Sequence, residues 1–188
     1  MPRTLAIGDI HGHCAALKTL IDFAKLAEGD TIITLGDYVN RGPDSKGVIE
    51  TLLEWQGKVN LIPLMGNHEN MTLQAAENWG AFEAWRDCGG NATLRSYGID
   101  SMDDFPATHL DFMRSCRRYH ETEKHIFVHA NFDPSLSMEE QFDGDLLWQH
   151  MVKAPARHIS GKTMICGHTP QLSGFPTNYG SAVCIDSD

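Results

Sequence analysis

The sequence predicts a layered α/β domain whose chemistry lies at the ends of its strands. Two patterns carry this: short apolar runs alternate with amphipathic stretches, and five of the runs are followed at once by a residue able to ligate a metal. A third observation sets the scale. The chain has 188 residues, 41% of them apolar, with no tract approaching a membrane span, which suits one domain over residues 1–188 with a sizeable core.

The elements follow in order. "TLAIGDIHG" reads as a strand ending in a turn, after which Leu17, Leu20, Ile21, Ala24 and Leu26 recur at near-helical spacing and predict a helix that stops by Gly29. Residues 31–35 form a second strand. "DSKGVIETLLEWQ" is a second helix, with Asp44 as N-cap and Val48, Ile49, Leu52, Leu53 and Trp55 on its buried side. "VNLIPLMGNHE" is a third strand, in which Pro63 fits an edge or a strand end. From about residue 71 to residue 120 the pattern is mainly helical, with a break at Gly89 and Gly90. Strands four, five and six are "HIFVHAN", "TMICGHTP" and "AVCID". No repeat, linker or low-complexity segment divides the chain.

Composition removes several function classes. A formal net charge of −10 opposes a surface for nucleic-acid polymers, which needs clustered Lys and Arg. Arg114, Arg117 and Arg118 in "FMRSCRRYH" are a local exception and are expected on one solvated helix face beside Asp111 and Glu121. The five cysteines lack paired spacing and read as reduced, mostly buried thiols. Met1-Pro2-Arg3 runs straight into the first strand, unlike a signal peptide, so a cytoplasmic protein without membrane attachment is expected.

Five strand ends then collect the chemistry: Asp9 and His11, Asp37, Asn67 and His68, His129, and His168. Each alone reads as an ordinary turn, a helix cap or a packed histidine. Together, carboxylate, amide oxygen and imidazole without thiolate point to borderline or hard divalent ions. Two such ions need a bridging ligand, which a carboxylate can be and an imidazole cannot, and Asp37 is the choice. Asp9 and His11 flank Ile10 and can chelate one ion, while Asn67, His129 and His168 complete the other. Glycines before Asp9, Asp37, Asn67 and His168 suit sharp turns close to the metals. His13, His109, His120, His125 and His158 lack such a setting.

The blocks "GDIHG", "GDYVNRG", "GNHE", "VHAN" and "GHTP", in this order, resemble the phosphoprotein phosphatase family of calcineurin-like metallophosphoesterases, especially its small bacterial and phage members. The similarity runs over residues 5–186, and "THLDFMRSCRRYHE" and "EEQFDGDLLWQ" also look like segments of those members. What the resemblance implies is a four-layer fold, a central β-sandwich flanked by helices, so that the six strands divide between two sheets. It implies two divalent ions, manganese first, with iron, zinc or nickel able to replace it. Asp9, His11 and Asp37 would hold one ion, and Asp37, Asn67, His129 and His168 the other.

The implied activity is that of a serine/threonine protein phosphatase-like phosphomonoesterase, acting by direct attack of a metal-bridging hydroxide on a phosphorylated protein, peptide or small phosphoester. Arg41 would bind the phosphoryl group bidentately, beside Asn67, and His68 would protonate the leaving oxygen. Two positions depart from the family. Asn40 stands where an aspartate commonly orients the histidine; it is expected to accept from the imidazole N–H without adding charge, which weakens the acid. His150 stands where many relatives carry a phosphate-binding arginine. These departures keep open a symmetrical diadenosine-tetraphosphate hydrolase, or another nucleotide phosphoanhydride hydrolase, and also a phosphoprotein-binding module with reduced catalysis. "RGPDSKGVIE" and the LLWQ segment look more like the protein-phosphatase branch. The chain stops at "CIDSD", where the family continues through a further pair of strands, so truncation or a covering partner is expected at that sheet edge.

Overall fold

Period-two alternation along each strand sends neighbouring side chains to opposite faces, and here both faces are covered. The computed structural model describes residues 2–187. Strands β1 (Thr4–Ile7), β2 (Thr31–Thr34) and β3 (Asn60–Pro63) form one sheet in the order β1-β2-β3, all parallel. A second sheet has the order β4-β5-β6-β8-β7, from Tyr119–Glu121, His125–Val128, Thr163–Cys166, Ala182–Cys184 and Thr177–Asn178 respectively. Within it β5, β6 and β8 are parallel, and β4 and β7 pair antiparallel at the edges.

The alternation explains the layers. Ile33, Leu35, Ile62 and Leu64 of the first sheet meet Phe127, Ile165 and Ile185 of the second, a sandwich interior dictated by every other residue. The opposite face of the first sheet, including Ile32, packs on helices α1 (Cys14–Ala24), α2 (Ser45–Gln56) and α6 (Ala107–Ser115) through Leu17, Val48, Ile49, Leu52, Phe112 and Met113. Ile126, Val128, Met164 and Cys166 turn outward from the second sheet onto Leu146 and Leu147 of α7 (Asp143–Trp148) and onto Phe132, Met138 and Met151 of the flanking loops. Helix, sheet, sheet and a thinner helix-and-loop cover are the four layers, as the resemblance implied.

Asp44 caps α2 by accepting from the Gly47 N–H at 2.9 Å, and Pro63 ends the edge strand β3. The helical segment divides into α3 (Asn67–Glu77), α4 (Trp79–Trp85) and α5 (Asn91–Tyr97), with the kink between the last two at Gly89, φ 103°. α3 begins at Asn67, four residues before the helical pattern is evident, so "GNHE" is both a helix start and a strand end.

Several expectations are corrected. Strands β4 and β7 were not expected: the helical reading was carried through Tyr119, whereas α6 ends at Ser115 and Cys116 has extended backbone. Arg117 therefore pairs by backbone with β3, accepting from Met65 N–H at 2.8 Å, and Arg118 reaches Asp143 at 2.6 Å. Only Arg114 stays on the helix, bound to Asp111 at 3.0 Å, so the three arginines share no helix face. Leu20, on the apolar stripe of α1, is 46% exposed. The cysteines are free, with four buried and Cys88 exposed. Among the described residues no helix is long and apolar enough to cross a membrane.

Candidate metal centre

Because β1, β2 and β3 are parallel to one another, as are β5 and β6, each sheet delivers its C-terminal strand ends together. The turns that follow are strained in a way that marks the site. Of six non-glycine residues with positive φ among the described residues, five are His11, Asp37, Asn40, Arg41 and His168. Each left-handed residue costs about 1–2 kcal/mol; the sixth, Lys25, is a helix C-cap, whereas these five gather at the strand ends that carry the candidate ligands. Two loops also interlock. A Cβ on Gly36 would lie 2.5 Å from the Gly66 nitrogen, and one on Gly66 would lie 2.3 Å from Asp37 Oδ1, so neither glycine can gain a side chain without parting the loops.

Asp37, buried, is the hub. Its Oδ2 is 3.4 Å from His11 Nε2 and 3.9 Å from His68 Nε2, and its Oδ1 is 3.4 Å from His129 Nε2. Two groups of ligand atoms, each within 4.8 Å of one another, share it: His11, Asp37 and His68, and Asp37, His129 and His168. The Asn67 side-chain amide faces the second group, 2.9 Å from His129 Nε2 and 3.2 Å from His168 Nδ1 and from both Asp37 oxygens.

Whether these residues fit divalent ions is decided by where the ring nitrogens go. His11 Nδ1 donates to Val39 O (3.0 Å), His129 Nδ1 to Leu35 O (2.8 Å) and His168 Nε2 to Trp148 O (3.2 Å). Each imidazole is thereby held with its other nitrogen, a bare lone pair, turned inward, the arrangement that orients metal-binding histidines. His11 Nε2 is buried without any hydrogen-bond partner. Imidazole nitrogens of His11, His129 and His168, the Asp37 carboxylate and the Asn67 side-chain oxygen thus converge, a donor set that a divalent ion satisfies, and these residues fit.

The electrostatics agree. Burial and the charge of Asp9 push Asp37 well above the usual carboxylate range, while burial lowers His11, takes His68 down to about 2 and takes His168 down to about 4. Protons are disfavoured on the imidazoles, which leaves them as ligands. Asp9 stands apart from both groups. Its carboxylate accepts from the His168 N–H at 3.1 Å, although its charge reaches Asp37 and His11.

Around this hub the other sequence-marked residues take their places. Arg41 is exposed and lines a cleft with Asp9 and His11. His150 stacks on His168, ring centroids 4.4 Å apart. Asn40 does meet His68, but with the opposite polarity to that expected: Thr93 Oγ1 donates to Asn40 Oδ1 (2.8 Å), and Asn40 Nδ2 therefore donates to His68 Nδ1 (2.8 Å). A nitrogen that accepts cannot carry the proton, so His68 is neutral with its hydrogen on Nε2.

Sequence reasoning missed Thr93, which also accepts from Asn40 N–H at 2.9 Å, and Glu69. Buried Glu69 accepts from the N–H groups of Asp37 (2.7 Å), Tyr38 (2.8 Å), Val39 (3.3 Å) and Gly66 (3.1 Å), and so ties the "GDYVNRG" turn to the "GNHE" turn. Burial, with the Asp37 charge, raises it to about 8. The available signal was the last letter of "GNHE", a Glu at the third helix position that folds back to the helix start. Nothing local announces Thr93, which is 53 residues from Asn40 in sequence.

A buried carboxylate shared by two groups of nitrogen and oxygen donors, with an arginine at the mouth, defines the class: a metallophosphoesterase. The chain belongs to the calcineurin-like phosphoesterase family, whose model matches residues 2–185. It is 44% identical over 156 residues to a symmetrical bis(5'-nucleosyl)-tetraphosphatase of Paracidovorax citrulli, covering 80% of this chain and 50% of that protein. With serine/threonine-protein phosphatase 2 of Escherichia coli it shares 30% over 178 residues, 86% of this chain and 77% of the relative. The chain spans about half the length of the tetraphosphatases it matches. Among solved structures, a putative diadenosine tetraphosphatase superposes with TM-score 0.72 at 18% identity, over 99% of this chain and 87% of the other, a likeness of fold.

Proposed function

We propose that the protein hydrolyses a phosphoanhydride of a nucleotide, with a symmetrical dinucleoside tetraphosphate as the model substrate. The observation that carries this is the amide of Asn40 donating to His68 Nδ1. Protonating His68 would require that nitrogen to give up its hydrogen bond, so His68 can offer a substrate oxygen an Nε2–H hydrogen bond but is a poor source of a whole proton. A serine alkoxide leaving group needs the proton, whereas a nucleotide phosphate leaves without it. The tetraphosphatases among its relatives support the same choice.

In this reading Asp9, His11 and Asp37 hold one divalent ion, and Asp37, Asn67, His129 and His168 hold a second. Bound there, the ions neutralise phosphate oxygens and lower the pKa of a water to supply the nucleophile. The chain does the rest. Arg41, exposed at the mouth, can grip two oxygens of the transferring phosphoryl group, a geometry lysine lacks. His150 adds one donor at the rim. Thr93 and Asn40 fix the His68 tautomer, and Glu69 fixes the turn that aims Asp37.

The second reading, a protein phosphatase, is favoured by the Escherichia coli relative, which this chain covers to 77%. Initial rates with manganese on diadenosine tetraphosphate and on a phosphoserine peptide separate the two. A kcat/KM at least about tenfold higher for the dinucleotide is expected. The reverse preference rejects the nucleotide reading.

A further inference from the structure

Buried backbone N–H groups need acceptors, and those of residues 37–41 are shared out among different parts of the chain. Asp37, Tyr38 and Val39 donate to Glu69, and Asn40 donates to Ser45 Oγ (3.1 Å) and Thr93 Oγ1 (2.9 Å). The Arg41 N–H goes elsewhere: it donates at 3.2 Å to the carbonyl of Gly89, in the kink between α4 and α5. There residues 86–90 make one wide turn of π type, in which Cys88 (φ −82°, ψ 16°) and Gly89 (φ 103°, ψ 1°) leave helical values. The bare face of Gly89 lies on Arg41. A Cβ on this glycine would stand 2.9 Å from the Arg41 nitrogen and 3.1 Å from Arg41 Cγ. The kink is itself anchored, because a Cβ on Gly90 would stand 2.4 Å from the ring of Trp85, which is buried. On the far side of Arg41, a Cβ on Gly42 would meet the His11 carbonyl oxygen. Arg41 therefore runs between two close backbone approaches, with φ 65° directly after Asn40 at 71°, a strain that surrounding contacts must offset.

We propose that Gly89 is a positioning residue for Arg41: its carbonyl and its bare α-carbon set the place from which the guanidinium grips a phosphoryl group. The inference rests on the phosphate-binding role proposed for Arg41 and names what aims that exposed side chain. Glu69 holds the part of the turn that carries Asp37, whereas the kink holds the part that carries Arg41, so the two can be disturbed separately. A long side chain in water gives up much rotamer freedom when it grips a ligand. A backbone and stem already fixed as far as Cγ have made part of that loss in advance.

Inhibition of p-nitrophenyl phosphate turnover by inorganic phosphate, at fixed free manganese, tests this in Gly89→Ala, Arg41→Ala and the double variant. Arg41→Ala should weaken phosphate inhibition at least about tenfold, through the loss of charge-assisted hydrogen bonds. Gly89→Ala sets a methyl group against the Arg41 nitrogen and Cγ and should weaken it at least about fivefold, with metal content equal to that of the unaltered protein. Made in the Arg41→Ala background, the same substitution should change inhibition by less than about twofold, since no guanidinium is left to misplace. Gly89→Asn, a residue better tolerated at positive φ, should reproduce the loss even where the alanine variant folds poorly. Phosphate inhibition unchanged in both Gly89 variants overturns the inference. So does a loss of equal size with and without the Arg41 side chain, or metal loss in both Gly89 variants. Unchanged inhibition in Arg41→Ala overturns the inference together with the phosphate role of Arg41.

Hydrolysis of diadenosine tetraphosphate, measured on the same preparations, keeps the two proposals apart. Turnover of the dinucleotide, with effects of Gly89→Ala and Arg41→Ala that simply add, rejects the positioning role and leaves the proposed function standing. An effect of Gly89→Ala on phosphate that vanishes without the Arg41 side chain, in a protein that does not turn over the dinucleotide, supports the positioning role and rejects the proposed function.

Discussion

Replacing Asn40 by aspartate would exchange a hydrogen-bond donor for a negative charge at His68 Nδ1. The contact is 2.8 Å long, and both residues are buried, Asn40 fully and His68 to within 1%. A unit charge about 4 Å from the centre of the imidazolium charge, at an effective dielectric of ~20, contributes about 4 kcal/mol, or about three pH units. Burying the new carboxylate opposes part of this, and roughly two units remain as the expected rise. The sign is definite. His68 acts as an acid only when protonated, so a higher pKa enlarges the protonated fraction at neutral pH and moves the alkaline limb of kcat/KM upward in pH. Thr93 still donates to the aspartate oxygen, so the position is preserved. General-acid help is typically worth 10²–10⁴, and the kcat/KM of a phosphoserine peptide should rise at least about tenfold. p-Nitrophenyl phosphate, whose leaving group needs no proton, should change by less than about twofold. Profiles of kcat/KM against pH for both substrates in both proteins decide the matter. Equal changes on the two substrates, or a loss confined to the peptide, would refute the role given to Asn40.

Asp37→Asn should lower bound metal from two ions per chain to fewer than one, measured by elemental analysis after dialysis, because an amide is a poor bridge between two cations. His68→Asn should keep both ions and reduce turnover of the dinucleotide by about tenfold or more, the loss of one directed hydrogen bond in the transition state. Metal loss in that variant would instead make His68 a ligand of the group it forms with His11 and Asp37. Glu69→Gln places an NH2 against backbone donors that now share two carboxylate oxygens. A cost of about 2–3 kcal/mol is expected, read as a fall in Tm together with weakened metal binding.

How much of this was legible depends on whether the information is local. The strands β1, β2, β3, β5, β6 and β8 announce themselves by apolar runs, and after all but the last of these runs the candidate ligands follow at once, so they could be proposed without a structure. β4 was hidden because Cys116 leaves the helix without a glycine or proline to mark the exit, and β7 has only two residues. The polarity of the Asn40 contact was beyond sequence. It is set by Thr93, which α5 brings across from another part of the chain, and no spacing rule links the two. Glu69 was visible as a letter of "GNHE" but not as an acceptor for four backbone N–H groups, since that role exists only when two turns interlock. Leu20 shows the opposite case: a correct helical pattern assigned a buried position to a residue that the fold leaves exposed.

The proposed function is tested most directly by incubating the manganese-loaded protein with diadenosine tetraphosphate in water enriched in oxygen-18 and analysing the nucleotides by mass spectrometry. Attack by water at the middle of the phosphate chain yields two ADP molecules, one of them carrying a single heavy oxygen, with no labelled protein formed. Recovery of intact dinucleotide, from a preparation that releases labelled phosphate from a phosphoserine peptide, would contradict it.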